Sequence, residues 1–293
     1  KYDWCNAMMQ VVVRDGDNIK MNFTGEGEVD SQLVLDKIDA DKDEVIDIAL
    51  KLLNARPIEA GTYDIICDPA VAGLIAHEAF GHGVEMDMFV KERAKAVQYV
   101  GKRVASDVVN MYDGAASCVS AASYFFDDDG VEAGKTNIIK NGILQTGISD
   151  CLSAMELGTE PTGNGRRESY KRKVYTRMTN TFFDAGNDSV EDMIKSIKHG
   201  YYLCQSNNGM EDPKNWQIQC TAGYGIEIVD GKMTDHIVAP VVISGSVVDL
   251  LNSISMVSKD VHIFGMGMCG KGHKEWVFVS DGGPYLKGKA KLS

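Results

Sequence analysis

Asn137-Ile138-Ile139-Lys140-Asn141-Gly142-Ile143-Leu144-Gln145 sets an Asn-Gly pair between two apolar runs. Asn and Gly both tolerate the left-handed backbone that a two-residue hairpin turn demands, so the stretch predicts a pair of antiparallel strands. Ile226-Glu227-Ile228-Val229-Asp230-Gly231-Lys232-Met233 repeats the pattern with Asp-Gly. A third hairpin is expected over residues 9–24, where the apolar runs 9–13 and 19–23 flank the turn-forming cluster Asp15-Gly16-Asp17-Asn18. Further strands are expected at 63–67 and near 215–229, 236–245 and 275–280. The alternation of strand and helix that a parallel sheet needs is absent. The expected fold class is therefore α+β, with mainly antiparallel sheets and several helices.

The first helix is expected between Asp43 and Arg56, where Val45, Ile46, Ala49, Leu50, Leu52 and Leu53 recur at helical spacing and Pro57 ends the run. Shorter helices are expected at 189–199 and 247–255. Asp68-Pro69 is a strong helix start: the Asp carboxylate accepts from free amides of the first turn, and Pro loses nothing at the first helical position. The helix that begins there carries His77, Glu78 and His82.

Composition narrows the function. The chain has 293 residues, 44% hydrophobic and 25% charged, as an ordinary globular protein does. Thirty basic against forty-two acidic residues give a formal charge of −12, the wrong sign for a surface that tracks phosphates, so direct nucleic-acid binding is not expected. The longest apolar stretches fall far below the ~20 residues needed to span a bilayer, so no membrane crossing is expected. The chain opens on Lys1 rather than Met and shows no basic region followed by an apolar one, which points to trimming and leaves room for a removed leader. Seven scattered cysteines, an odd number, suit free thiols and a cytoplasmic location.

A catalytic zinc site takes three protein ligands from His, Cys, Asp and Glu and leaves a fourth position open. His77 and His82 are the first candidates, with Glu78 as the base that takes a proton from water. Their spacing is unusual. Two residues four apart on a regular helix diverge by ~40°, whereas five apart diverge by ~140°. The segment must therefore bulge into a π-type turn, which brings residues five apart nearly into line, or kink near Gly81 and Gly83. Glu78 and His82 are four apart, so ligation by that pair is the second choice. The bland alternative is two ordinary helix histidines with an acidic neighbour. Its weakness is that residues 70–84 are otherwise apolar or small, and burying such a trio without a partner is costly.

At this point the sequence resembles the TldD/PmbA family of metallopeptidases, also described as modulators of DNA gyrase. The HExxxH pattern stands as His77-Glu78-Ala79-Phe80-Gly81-His82 and continues Gly83-Val84-Glu85-Met86-Asp87, as in the TldD branch. Other motifs follow in order: Asp127-Asp128-Asp129-Gly130, Pro161-Thr162-Gly163-Asn164-Gly165-Arg166-Arg167-Glu168-Ser169, Arg177-Met178-Thr179-Asn180-Thr181 and Met268-Cys269-Gly270-Lys271-Gly272.

The resemblance implies zinc (Zn2+) held by His77, His82 and Cys269, with Glu78 as the catalytic carboxylate and a peptide as substrate. It further implies a homodimer, or a heterodimer with a related family subunit. Residues 1–60 correspond on this reading to the remnant of an N-terminal domain, and 61–293 to the metallopeptidase catalytic region. Taken alone, Cys269 reads as a small buried hydrophobe, although Gly265, Gly267, Gly270 and Gly272 around it permit the close backbone approach that a ligand loop needs. His273 is a nearby imidazole, best read as a surface residue. Arg166 and Arg167, in a glycine-flanked loop, are candidates to clamp a peptide carboxylate or carbonyl, against the alternative of a solvated basic turn. The rival to a peptidase is a metal-stabilised, non-catalytic interaction or regulatory subunit; a third reading is a nonpeptidase hydrolase using the same metal.

Overall fold

Residues Cys5–Asp15 (β1) and Asn18–Glu28 (β2) pair antiparallel without a break from Cys5 opposite Glu28 to Asp15 opposite Asn18. Gly16-Asp17 is thus a two-residue loop, with Gly16 at φ +58°. The strands outrun the apolar cores that announced them. This computed structural model describes residues 4–272 and 275–293; His273 lies outside the described residues.

Helix α1 (Ser31–Leu52) lies across one face of the hairpin and begins twelve residues before the apolar stripe at Asp43. Asp30 caps it by accepting from the Gln32 amide. Its first half buries only Val34. Polar contacts hold that half instead: Lys37 Nζ lies 2.7 Å from Glu28 Oε1 and 3.4 Å from Glu26 Oε2, and Thr24 Oγ1 donates to Asp41 Oδ2 at 2.9 Å. A search for apolar periodicity does not register such a half-helix.

Strand β3 (Gly61–Cys67) is the keel of the larger sheet. The strand Leu286–Leu292 pairs with it antiparallel on one side, and His199–Asp212 pairs with it parallel on the other. From Leu286–Leu292 the sheet passes to Val241–Ser246 and then to Gln217–Val229, which pairs back onto His199–Asp212. Five strands thereby close on themselves, with Lys232–Val238 and Met256–Val257 attached outside the ring. Ala239-Pro240 divides the single strand expected at 236–245 in two. The second sheet has six strands, in the order His262–Cys269, Val277–Gly283, Asn180–Phe183, Met111–Asp113, Thr136–Lys140, Ile143–Leu144. Among the described residues two pairings are parallel, β3 with His199–Asp212 and Val277–Gly283 with Asn180–Phe183; the others between named strands are antiparallel. The fold is α+β.

The turn chemistry behaves as the side chains require. Asn141 and Gly142 sit at φ +49° and +75°, and Asp230 and Gly231 at +47° and +74°, each pair between directly opposed strand ends. The short helices Val190–Lys195 and Val247–Ser253 end before the bounds expected for them, the first because the chain turns at Ser196 and enters a strand at His199.

Helix α2 (Pro69–Leu74) leaves β3 through Asp68 and runs against both sheets, so its continuation lies in the central core with Phe80, Ile65 and Val71 fully buried. The hairpin leans on the same region. A Cβ at Gly27 would overlap the Gly265 carbonyl, and one at Gly265 would overlap the Gly27 carbonyl, so the two backbones cross at a distance only glycine allows.

Several motif residues form a buried polar scaffold rather than a site. Asp113, fully buried, accepts from Asn164 Nδ2 at 2.6 Å, Thr179 N at 3.0 Å, Thr179 Oγ1 at 2.9 Å and Thr181 Oγ1 at 2.5 Å. Asp127 accepts from the amides of Gly165, Asp129 and Val131. Replacing Asp113 by Ala orphans donors that no water reaches; urea unfolding is expected to show a loss of about 3 kcal/mol or more, and a loss below about 1 kcal/mol would contradict this role.

Candidate metal centre

Asp68 starts the site. Its carboxylate accepts from Val71 N at 2.7 Å, as an N-cap does, and from Gln205 N at 2.8 Å, which ties the helix start to the neighbouring strand. Burial raises its pKa to about 6, with the backbone amides pulling the other way. Six residues of α-helix follow, and then Ile75–Gly81 is π-helical. The His82 amide donates to the His77 carbonyl, a bond spanning five residues and joining the two candidate ligands themselves. Their rings meet edge to face, with centroids 5.0 Å apart.

Gly81 serves a different purpose from the loosening expected of it. Its φ of −59° and ψ of −50° are ordinary for any helical residue. What demands glycine is Met178, whose Sδ fills the space of a Cβ.

Cys269 arrives on the end strand His262–Cys269 of the six-stranded sheet. Its Sγ lies 3.4 Å from His82 Nε2, and one donor atom each from His77, His82 and Cys269 falls within 4.8 Å of the others. Tetrahedral zinc with its usual bond lengths to nitrogen and sulfur holds such atoms about 3.5 Å apart. His77 Nδ1 is also buried with no hydrogen-bond partner. The donor set fits zinc in both spacing and chemistry. Burial by itself would raise the Cys269 thiol, but the facing imidazoles of His82 and His77 hold it well below its ordinary value. Burial lowers the imidazoles, and the thiolate overrides that and raises both.

Glu78 Oε2 stands 3.8 Å from His82 Nε2. Its side chain crosses the strand at Gly209, where a Cβ would come within 2.6 Å of Glu78 Cγ. Burial raises its carboxyl pKa, with His77 and His82 opposing. The group opens on a cleft of about 810 Å³ walled by Phe23, Met88, Met210, Met266, Met268 and Trp276.

Four further charged residues surround the group without a signal that sequence reasoning used. Glu85 accepts from Lys271 Nζ at 2.9 Å and faces His82 Nδ1 at 3.6 Å. Arg177 donates to the Cys269 carbonyl at 2.8 Å. Asp281 lies near His77, its pKa raised to about 6 by burial and lowered in part by that imidazole. Glu85, Arg177 and Lys271 all stand inside quoted motifs, so order along the chain was their only mark; Asp281 had none.

Arg166 and Arg167 are not brought into this group. Arg166 Nη1 donates to the Met178 carbonyl at 2.7 Å, with its guanidinium 5.7 Å from the Tyr124 ring centre, and Arg167 Nε pairs with Asp128 Oδ1 at 3.3 Å. They line a smaller cavity of about 280 Å³ that shares Met268 and Trp276 with the cleft.

A model of the PmbA/TldA metallopeptidase C-terminal domain matches residues 60–290. The chain belongs to the TldD/PmbA metallopeptidase family. A metalloprotease of Methanocaldococcus jannaschii is 32% identical over 289 residues, covering 99% of this chain and 63% of that protein. The zinc metalloprotease TldD homolog of Saccharolobus solfataricus is 35% identical over 234 residues, 79% of this chain and 51% of its own length. The chain thus spans less than two thirds of these family members. Among solved structures, TldE from Thermococcus kodakarensis superposes with a TM-score of 0.75 at 23% identity, covering 99% of this chain and 63% of that one. A Thermotoga maritima protein described as a candidate modulator of a DNA gyrase gives 0.78 at 21%, covering 98% and 62%. Those two likenesses carry the fold alone.

Substituting Gly81 by Ala drives a methyl group into buried Met178. Denaturant unfolding of the metal-free chain is expected to lose about 1–2 kcal/mol after the helix-propensity gain is subtracted; an unchanged or raised midpoint would show that Met178 yields freely.

Proposed function

We propose that this family member is a zinc-dependent peptidase acting on small or unfolded peptides, with His77, His82 and Cys269 as the metal ligands and Glu78 as the general base. The observation that carries the reading is the convergence of the three donor atoms within 4.8 Å, with the Glu78 carboxylate 3.8 Å from His82 Nε2. When bound, zinc supplies Lewis acidity that polarises a peptide carbonyl and makes water easier to deprotonate. Glu78 Oε2 takes the proton of the attacking water and returns it to the departing amine. A carboxyl whose proton affinity burial has raised is better matched to both transfers than an exposed one. Gly209 gives Glu78 the room to reach that position.

The methionines and aromatics of the cleft suit an extended chain whose side chains vary, since unbranched thioethers adapt to many shapes. On this reading Arg166 and Arg167, which line the neighbouring cavity, bind a part of the peptide away from the reacting bond. The partner proposed is a second copy of this chain or a related family subunit. Residues 1–60 are read as an N-terminal region and 61–293 as the catalytic region, a reading supported by the family match over residues 60–290. Seven free cysteines suit a reducing cytoplasm. No helix among the described residues is long and apolar enough to cross a membrane. An interaction subunit built on the same metal would need no carboxylate at the position of Glu78.

Metal content and cleavage of unstructured peptides test the assignment. Glu78→Gln is expected to keep its zinc and lose cleavage by roughly 10²- to 10⁴-fold; equal activity would sink the base. Cys269→Ser and His82→Ala are each expected to lower zinc retention, and a His82→Ala protein that binds zinc as tightly as wild type would remove His82 from the ligand set.

A further inference from the structure

Glu85 is not a ligand candidate, yet it is 2% exposed and faces three basic groups. Its Oε2 is 3.6 Å from His82 Nδ1, the ring nitrogen opposite the one that faces Cys269, and 2.9 Å from Lys271 Nζ. Its Oε1 is 3.5 Å from Arg177 Nε. Both cations reach the cysteine strand or its loop. Arg177, 1% exposed, donates from Nη2 to the Cys269 carbonyl at 2.8 Å and from Nη1 to the Glu275 carbonyl. Lys271, two residues beyond Cys269, also holds Asp87 Oδ1 at 2.7 Å and the Thr176 carbonyl at 3.2 Å.

We propose that Glu85 is the positioning residue that couples the two halves of the site, orienting the His82 imidazole directly and holding the Cys269 backbone through Arg177 and Lys271. The proposal rests on the zinc reading above. On the histidine side, a carboxylate facing Nδ1 at 3.6 Å favours the tautomer that carries its proton there, so the Nε2 lone pair points at the metal position and gains basicity. On the cysteine side, the guanidinium fixes the carbonyl of the ligand residue itself, so Sγ has little freedom beyond its own side-chain rotation. Two cations, Arg177 and Lys271, balance two carboxylates, Glu85 and Asp87, which is what allows the cluster to stay buried. Its shape assigns the residues: one carboxylate touches both arms, and the ligands it joins lie 187 residues apart.

A purely structural clamp would lower stability and leave metal coordination as it is, so the test reads coordination. Glu85→Gln and Lys271→Met are compared with wild type by zinc affinity in chelator competition and by the thiolate-to-cobalt charge-transfer absorbance of the Co2+-loaded protein, with near-UV circular dichroism as the check on folding. Glu85→Gln is expected to weaken zinc binding about 10- to 100-fold and to diminish the thiolate band. Lys271→Met has no histidine contact to lose, and it is expected to shift both readouts in the same direction. The double variant should fall short of the sum of the two, as members of one network do. If Glu85→Gln does not fold, Lys271→Met decides alone. Folded variants with wild-type zinc affinity and an unchanged thiolate band overturn the proposal while leaving the zinc reading intact. A wild type that binds neither zinc nor cobalt overturns that reading, and the coupling with it.

Discussion

The bond from the His82 amide to the His77 carbonyl is the constraint on which the rest of the site depends. On a regular helix residues five apart face different directions, and one of these two imidazoles would point away from the other. Widening the turn by one residue aligns them, at the cost of weaker helix geometry over Ile75–Gly81. The surroundings over-determine that geometry. Met178 packs against Gly81, the Glu78 side chain lies over Gly209, and Asp68 anchors the helix start to the strand beside it.

The π turn also decides what must arrive from elsewhere. Two aligned imidazoles and an adjacent carboxylate leave the side facing the cleft without a soft ligand, and the end strand of the six-stranded sheet delivers Cys269 there. That delivery depends on glycines at the Gly27–Gly265 crossing, where the first hairpin presses on the same strand. Hairpin, strand and the helix that carries His77 and His82 form one packed unit, and Phe23 of the hairpin stands in the cleft wall.

Much of this was legible in the chain, for identifiable reasons. Asn141-Gly142 and Asp230-Gly231 announce hairpins because few other pairs tolerate two left-handed residues in succession. Asp68-Pro69 announces a helix, and the spacing of His77 and His82 announces its bulge. The first half of α1 stayed hidden because ion pairs rather than an apolar stripe hold it. The cause of Gly81 was hidden too: its dihedrals are unremarkable, and the neighbour that excludes a side chain is Met178, far along the chain. Cys269 as a ligand candidate came from resemblance, since a lone cysteine has no local pattern. Glu85, Arg177 and Lys271 act on one another across distances that only folding closes, and Arg166 and Arg167, conspicuous in sequence, bond to Met178 and Asp128 beside a different cavity.

The separation of His82 and Cys269 has a thermodynamic side. A metal held by both closes a loop of 187 residues, and the chain entropy removed from the unfolded state by such a closure grows with the logarithm of loop length. On the proposed zinc reading the centre is therefore a cross-link as well. An ion that binds only the folded arrangement draws the folding equilibrium toward it by mass action. On that reading metal supply and the survival of the fold become one variable, and a chain starved of metal loses its staple.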